Sequence, residues 1–339
     1  MSRSLDKDVL ENLKNEDPTK VYKDIVQILT RLPDTGELLE IELLGKAHPL
    51  EPGVHYLQDE NAIAIPKLRL TQAFFVARKV IQQHLHAQPT IPGVDVVAAT
   101  AVALLMDPEH LTAANIRKRF VLSKLHNGAE QAETVLRNEK QFLDSLLTAR
   151  LHRHTKSPTL WSHRRWLLAR FEILGCRVDL RRDFTSVIMV AAERHPRNYY
   201  AWHHARWLTC NGGTQIDSNL LLVIIDDVRD WCYRHHNDIS GWTYLDSALM
   251  GLVDSDIQTQ KRSAIFAETI HIAESFRWTN ESVWVFLRTI VARNHISPEL
   301  CDSFFELNKK LSFQIADGDA KKPLNAAVQW VSRNRQVVQ

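Results

Sequence analysis

Four tryptophans, Trp161, Trp202, Trp242 and Trp284, recur at intervals of 41, 40 and 42 residues. Each sits in the same phrase, a polar or proline-containing start followed by an apolar run at helical spacing. The copies are Ser157 to Phe171, His195 to Leu208, Asp238 to Leu252 and Thr279 to Asn294. A weaker copy, Leu111 to Leu125, has Ala114 in the tryptophan place, 47 residues before Trp161. A near-fixed period of this size marks an array of helical repeats, because a unit so short cannot bury its own apolar face and must stack on its neighbours. The predicted fold is therefore all-α, a helical-hairpin repeat array wound as an α-α superhelix into a crescent. Partner helices are predicted between the motif helices, over 130–154, 181–194, 219–235 and 260–276, with a last packing helix over 299–311.

The organisation follows from that array. Residues 111–310 are read as five repeats, 1–110 as an N-terminal helical and loop-rich cap region, and 311–339 as a C-terminal tail with a short helix over 324–333. Within the cap, 5–32 reads as an amphipathic helix that Asp17-Pro18 divides. Residues 33–66, broken by Pro49, Pro52 and Gly53, read as loop with one short extended piece. Residues 67–86 and 94–106 read as helices that cover the exposed end of the array. Eleven glycines and twelve prolines are few for 339 residues, which favours long helices over a turn-rich β sandwich.

The chemistry-bearing residues give no complete active site. Sixteen histidines include His152-Arg153-His154, His203-His204 and His235-His236. Neighbouring histidines on a helix point about 100° apart, and no zinc-ligand spacing occurs, so no metal site is expected in the chain. Cys176, Cys210, Cys232 and Cys301 are scattered and read as reduced thiols of a cytoplasmic protein. The net charge of +2 gives no reason to expect nucleic acid, and no apolar run spans a membrane. No C-a-a-X cysteine closes the sequence and no glycine follows Met1, so the chain is not expected to carry lipid itself. The tryptophans are read as core. The basic residues that follow them, Arg117 and Arg119, Arg164 and Arg165, Arg206, and Arg288, are expected to pair with carboxylates of adjacent hairpins. The fourth repeat breaks this pattern with Leu245 and Asp246.

Asn198-Tyr199-Tyr200-Ala201-Trp202 and Asn280-Glu281-Ser282-Val283-Trp284, with Asn115-Ile116-Arg117-Lys118-Arg119 lacking its tryptophan, resemble the α-subunit repeat of protein prenyltransferases. The structural motif residues are Asn115, Trp161, Arg164, Asn198, Trp202, Trp242, Asn280 and Trp284. The resemblance implies an α subunit that wraps a globular β subunit (Rab geranylgeranyltransferase type preferred), in a heterodimer that transfers a geranylgeranyl or farnesyl group to a protein cysteine. Zinc and prenyl diphosphate are expected in that partner and none in this chain. The family lysine that faces the diphosphate lies five residues before the tryptophan of the second repeat, here Trp161, a place that Lys156 fills. Pro158 replaces the tyrosine often found three residues before it. Arg197 and Tyr199 take the corresponding places in the next repeat and are carried as substrate-binding residues at the mouth of the site. The alternative is a non-enzymatic helical-repeat scaffold for protein–protein interaction, from which the period near 41 and the Asn-x-x-x-Trp phrase point away.

Overall fold

Short polar side chains stand just before most of the helices in the second half of the chain, Asn198, Asp217, Asp238, Asp254, Asn280 and Ser297 among them. The computed structural model describes residues 17–334 apart from 32–35, 46–47, 49, 52, 88–90, 127, 212–215, 294 and 316–317. The predicted helix over 5–16 and the Gly212-Gly213 loop lie outside the described residues. The chain divides into two units, Met1–Asp179 with Val190–His195, and Leu180–Met189 with Pro196–Gln339.

In the first unit α1 (Pro18–Thr30) is capped by Asp17, whose carboxylate accepts from the Thr19 N–H, with Pro18 in the first turn. It packs on α2 (Lys67–Ala87) and α3 (Val94–Met106). Helix α3 is apolar on nearly every side because it is covered on both, by α2 and by α4 (Leu111–Lys124). Helix α4 then packs on α5 (Ala129–Leu147) and α6 (Pro158–Ile173).

The chain is mostly helical, and the reading of 33–66 as loop with one short extended piece needs correction. Residues 36–66 hold a three-stranded sheet in the order β1-β3-β2, where β1 is Glu40–Leu44, β2 Leu57–Asp59 and β3 Ala62–Pro66. Strands β1 and β3 pair in parallel with Ile41 opposite Ile63, and β2 pairs antiparallel to β3. The physical reason is strict alternation: Ile41, Ile63 and Ile65 are buried while Glu40, Glu42 and Ala62 face outward. The outer edge of β1 is stitched to the end of α5. The Arg150 N–H donates to the Ile41 carbonyl at 3.2 Å, the Leu39 N–H to Ser145 Oγ at 2.9 Å, and Gln141 Nε2 to the Glu37 carbonyl at 2.8 Å.

The second unit alternates motif and partner helices. The motif helices are α9 (Tyr199–Arg206), α11 (Ile239–Met250) and α13 (Glu281–Ala292), and the partners are α10 (Ser218–Arg234), α12 (Ser255–Ser275) and α14 (Pro298–Gln314). Helix α9 packs on α11, and α11 on α13. The final helix α15 (Lys322–Asn334) packs on α13 and so takes the next place in the motif layer. Leu324, Ala327 and Val331 bury its apolar stripe. The helical segment α7 (Leu180–Asp183) runs through a π turn, Phe184–Ile188, into α8 (Met189–Arg194), and a second π turn, Trp207–Asn211, follows α9. Gly241 sits against an indole: a Cβ there would stand 2.6 Å from Trp231 Cζ3, so only glycine allows this approach. Among the described residues no helix is long and apolar enough to cross a membrane.

Candidate functional site

The recurring phrase is a helix cap joined to a buried indole. His110, Ser157, Asn198, Asp238 and Asn280 are the residues before α4, α6, α9, α11 and α13, each four residues ahead of Ala114 or a motif tryptophan. The first four accept helix N–H bonds through their side chains, as with Ser157 Oγ from Leu160 at 3.1 Å. Asn280 instead donates through Nδ2 to the His236 carbonyl at 2.5 Å, tying one motif loop to the one before it. Ser157 Oγ does the same to the Pro108 carbonyl at 3.1 Å. Asn115 is exposed within α4, five residues past the cap.

All four motif tryptophans are buried. In three, the indole N–H donates to the carbonyl six residues back: Trp161 to Thr155 at 2.9 Å, Trp242 to His236 at 3.2 Å, and Trp284 to Trp278 at 2.8 Å. Trp202 lacks this bond, and its Nε1 has no partner among the described residues. Its ring packs edge-on to Trp231 at 5.0 Å and stacks on Tyr244 at 5.3 Å. Here the loop takes another path. Arg197 has φ +59°, and its N–H donates to Asp238 Oδ2 at 2.5 Å.

The loop that ends at Ser157 carries Lys156. Its neighbours are fixed: Thr155 is buried and supplies the acceptor for Trp161, and His154 is buried with Nε2 3.1 Å from the Leu104 carbonyl. Burial pushes the His154 pKa down to about 4, so the ring is neutral at pH 7. Thr159, on the far side, donates to Glu109 Oε2 at 2.6 Å. Lys156 itself is half-exposed and has no hydrogen bond or ion pair among the described residues. A cation on a braced loop with no partner can take an anion without first breaking a bond. Beside it the exposed Arg153 pairs with Asp107 at 2.9 Å, and His152 meets His195 edge-on at 4.1 Å.

Arg197 and Tyr199 belong to the second unit, at the head of α9, whereas Lys156 belongs to the first. Both are exposed. The Tyr199 ring stacks on His203 one turn on, at 5.6 Å and 12°, and meets Tyr200 edge-on at 5.7 Å. His203 therefore joins this surface, and the i, i+4 spacing of Tyr199 and His203 is the sequence signal for it.

Beneath the Lys156 loop two arginines are buried. Arg117 holds Glu139 with two bonds, at 2.8 and 2.7 Å, and lies over the Phe142 ring at 3.9 Å. Arg164 Nε donates to Asp144 Oδ1 at 2.6 Å, while Lys140 reaches Asp144 Oδ2 at 2.7 Å. Burial raises both carboxyl pKa values, but the facing cations outweigh it and hold both below their ordinary values. His163 is buried with Nε2 3.5 Å from Glu139 Oε1, and burial pushes its pKa down to about 4. These groups join α4, α5 and α6 and do not face solvent. Among the described residues no group of three His, Cys, Asp or Glu could hold a metal ion.

Residues 136–171, which span the end of α5, the Lys156 loop and most of α6, match the protein prenyltransferase alpha subunit repeat. Residues 160–276 match the family described as the ECM9 middle domain. Among curated proteins none matches the chain. The chain is thus a helical protein that carries one recognised prenyltransferase α-subunit repeat and one ECM9 middle domain match.

Proposed function

We propose that this chain is an α-like subunit of a heterodimeric protein prenyltransferase, with geranylgeranyl transfer to a protein cysteine as the preferred reaction and a Rab geranylgeranyltransferase-type β subunit as partner. The observation that carries this reading is the α-subunit repeat match over 136–171, with Lys156 inside it on a braced loop without a partner of its own. In the reaction the acceptor cysteine sulfur bonds to the first carbon of the prenyl chain, the carbon–oxygen bond to diphosphate breaks, and diphosphate leaves. Zinc, held by the partner, lowers the pKa of the thiol. Lys156 stabilises the negative charge on the departing diphosphate. Arg197 and Tyr199, exposed at the head of α9, contact the protein substrate.

The alternative is a helical-repeat scaffold with no part in transfer. The test is to co-express the chain with each prenyltransferase β subunit and then assay transfer of labelled prenyl diphosphate to extract proteins. Stable pairing with labelling that falls about 10- to 100-fold in Lys156→Ala supports the subunit reading. Failure to pair with any β subunit sinks it and leaves the scaffold.

A further inference from the structure

The position four residues after the motif tryptophan has a partner in most repeats. Lys118 lies over the Trp166 ring at 5.6 Å, Arg206 Nε donates to Ser247 Oγ at 3.3 Å, and Asp246 accepts from Arg293 Nη1 at 2.7 Å. Arg288, in the fifth repeat, is the exception. It makes no hydrogen bond or ion pair among the described residues, and its Nε is out of solvent with no acceptor. The guanidinium lies over the Trp330 ring, 5.1 Å from its centroid. A shielded N–H without an acceptor is costly, and a guanidinium cannot avoid that cost by losing its charge.

Arg288 lines a pocket of about 180 Å³ between the first half of α13 and the start of α15. Lys322 stands in the same wall, together with Glu281 and the apolar Val285, Pro323 and Ala326. Glu281 acts on Arg288 through space without an ion pair. Lys322 also pairs with Asp319 at 2.6 Å, but both side chains are largely exposed and solvent screens them. The wall therefore carries two cations and one carboxylate, a surplus of a single positive charge. The planar fork of a guanidinium matches two oxygens on one carbon. A dianion such as phosphate would bring its second charge against Glu281, whereas a carboxylate on a short apolar stem suits both the charge and the wall.

We propose that the pocket between the first half of α13 and the start of α15 is a carboxylate-binding site, with Arg288 as the principal donor and Lys322 as a cation at its rim. The ligand is either a small free monocarboxylate or the side chain of a glutamate on a bound peptide. The inference stands apart from the prenyltransferase reading, since it uses none of that reading's residues.

The experiment follows the arginine Nε–H signals of the full chain, labelled with ¹⁵N-arginine, by NMR. Sodium acetate, acetyl-glutamate-amide and sodium phosphate are titrated separately at ionic strength fixed with sodium chloride. The expected result is a saturable shift of one signal with the carboxylates, absent from Arg288→Lys. Tighter saturation by acetyl-glutamate-amide than by acetate assigns the peptide source, and the reverse order assigns the free acid. Glu281→Gln should tighten carboxylate binding about threefold and Lys322→Met weaken it by a similar factor. Both sites are at the surface, so these two variants carry the test even if Arg288→Lys does not fold. No saturable shift with either carboxylate, tighter saturation by phosphate, or an affinity unmoved in Glu281→Gln would overturn the proposal.

Discussion

Arg164 donates through Nε to Asp144 at 2.6 Å with both side chains withdrawn from solvent, and Lys140 closes the other carboxylate oxygen at 2.7 Å. Asp144 thus has two cations, whereas Glu139 has one close ion-pair partner, Arg117, and a histidine at 3.5 Å. The difference sets an order of stability losses. Arg117→Ala should cost roughly 3–5 kcal/mol because it strands a buried carboxylate. Arg164→Ala should cost less, since Lys140 remains. The double variant Arg117→Met with Glu139→Leu should recover part of the first loss. Urea denaturation of the three variants measures the order, and a larger loss for Arg164→Ala would contradict it.

The buried histidines make stability fall with acid. His154 and His163 have folded pKa values near 4, below the ordinary 6.5, so the unfolded chain binds more protons between those values. Their contribution is complete above about pH 6.5 and is lost as pH falls toward 4, up to about 3 kcal/mol each. Glu139 and Asp144, also held low, add a further loss as pH drops below the ordinary carboxylate range. Denaturation at pH 7, 5.5 and 4.5 should show a steep decline, and His163→Gln should flatten it.

Replacing each motif tryptophan by phenylalanine separates the indole N–H from the ring. In Trp161, Trp242 and Trp284 the change strands a carbonyl that the N–H served. Trp202 has no such bond to lose. Trp202→Phe should therefore cost less than the other three, by about 1 kcal/mol. Thermal denaturation of the four variants gives the comparison, and equal losses would show that the indole bonds carry nothing.

Arg197 adopts a left-handed backbone, φ +59°, that suits glycine better than arginine. Arg197→Gly should hold stability level or raise it by up to about 1 kcal/mol, while removing the guanidinium. If that side chain contacts a protein substrate, prenyl transfer should fall in a variant that is no less stable. Paired measurements of melting temperature and transfer separate backbone strain from recognition.

The helices from Lys67 onward were legible because their apolar spacing is regular and the tryptophan phrase repeats. The sheet was not, since Glu40-Ile41-Glu42 and Ala62-Ile63-Ala64-Ile65 are short alternations whose pairing skips the intervening strand. Sequence spacing picked out Arg117 and Arg164, but not their partners. Glu139 and Asp144 lie on one helix, 22 and 20 residues from them, and only packing brings the pairs together. Nor could spacing distinguish Arg288, whose Nε has no acceptor among the described residues, from Arg206, whose Nε has one. The position of Lys156 was readable, whereas the bracing of its loop by Ser157, Thr159 and Trp161 depends on tertiary contacts.

The sealing of β1 has a consequence for synthesis. The groups that close its outer edge and the residues leading into it, on Gln141, Ser145 and Arg150, follow Glu37, Leu39 and Ile41 by 104, 106 and 109 residues. On the ribosome, β1 and β3 emerge long before that cover does. For about a hundred residues of elongation the nascent chain shows a bare strand margin, the kind of surface that recruits another strand. Fragments that stop short of residue 141 should be the ones that cling to each other or to chaperones, and those that run past Arg150 should not.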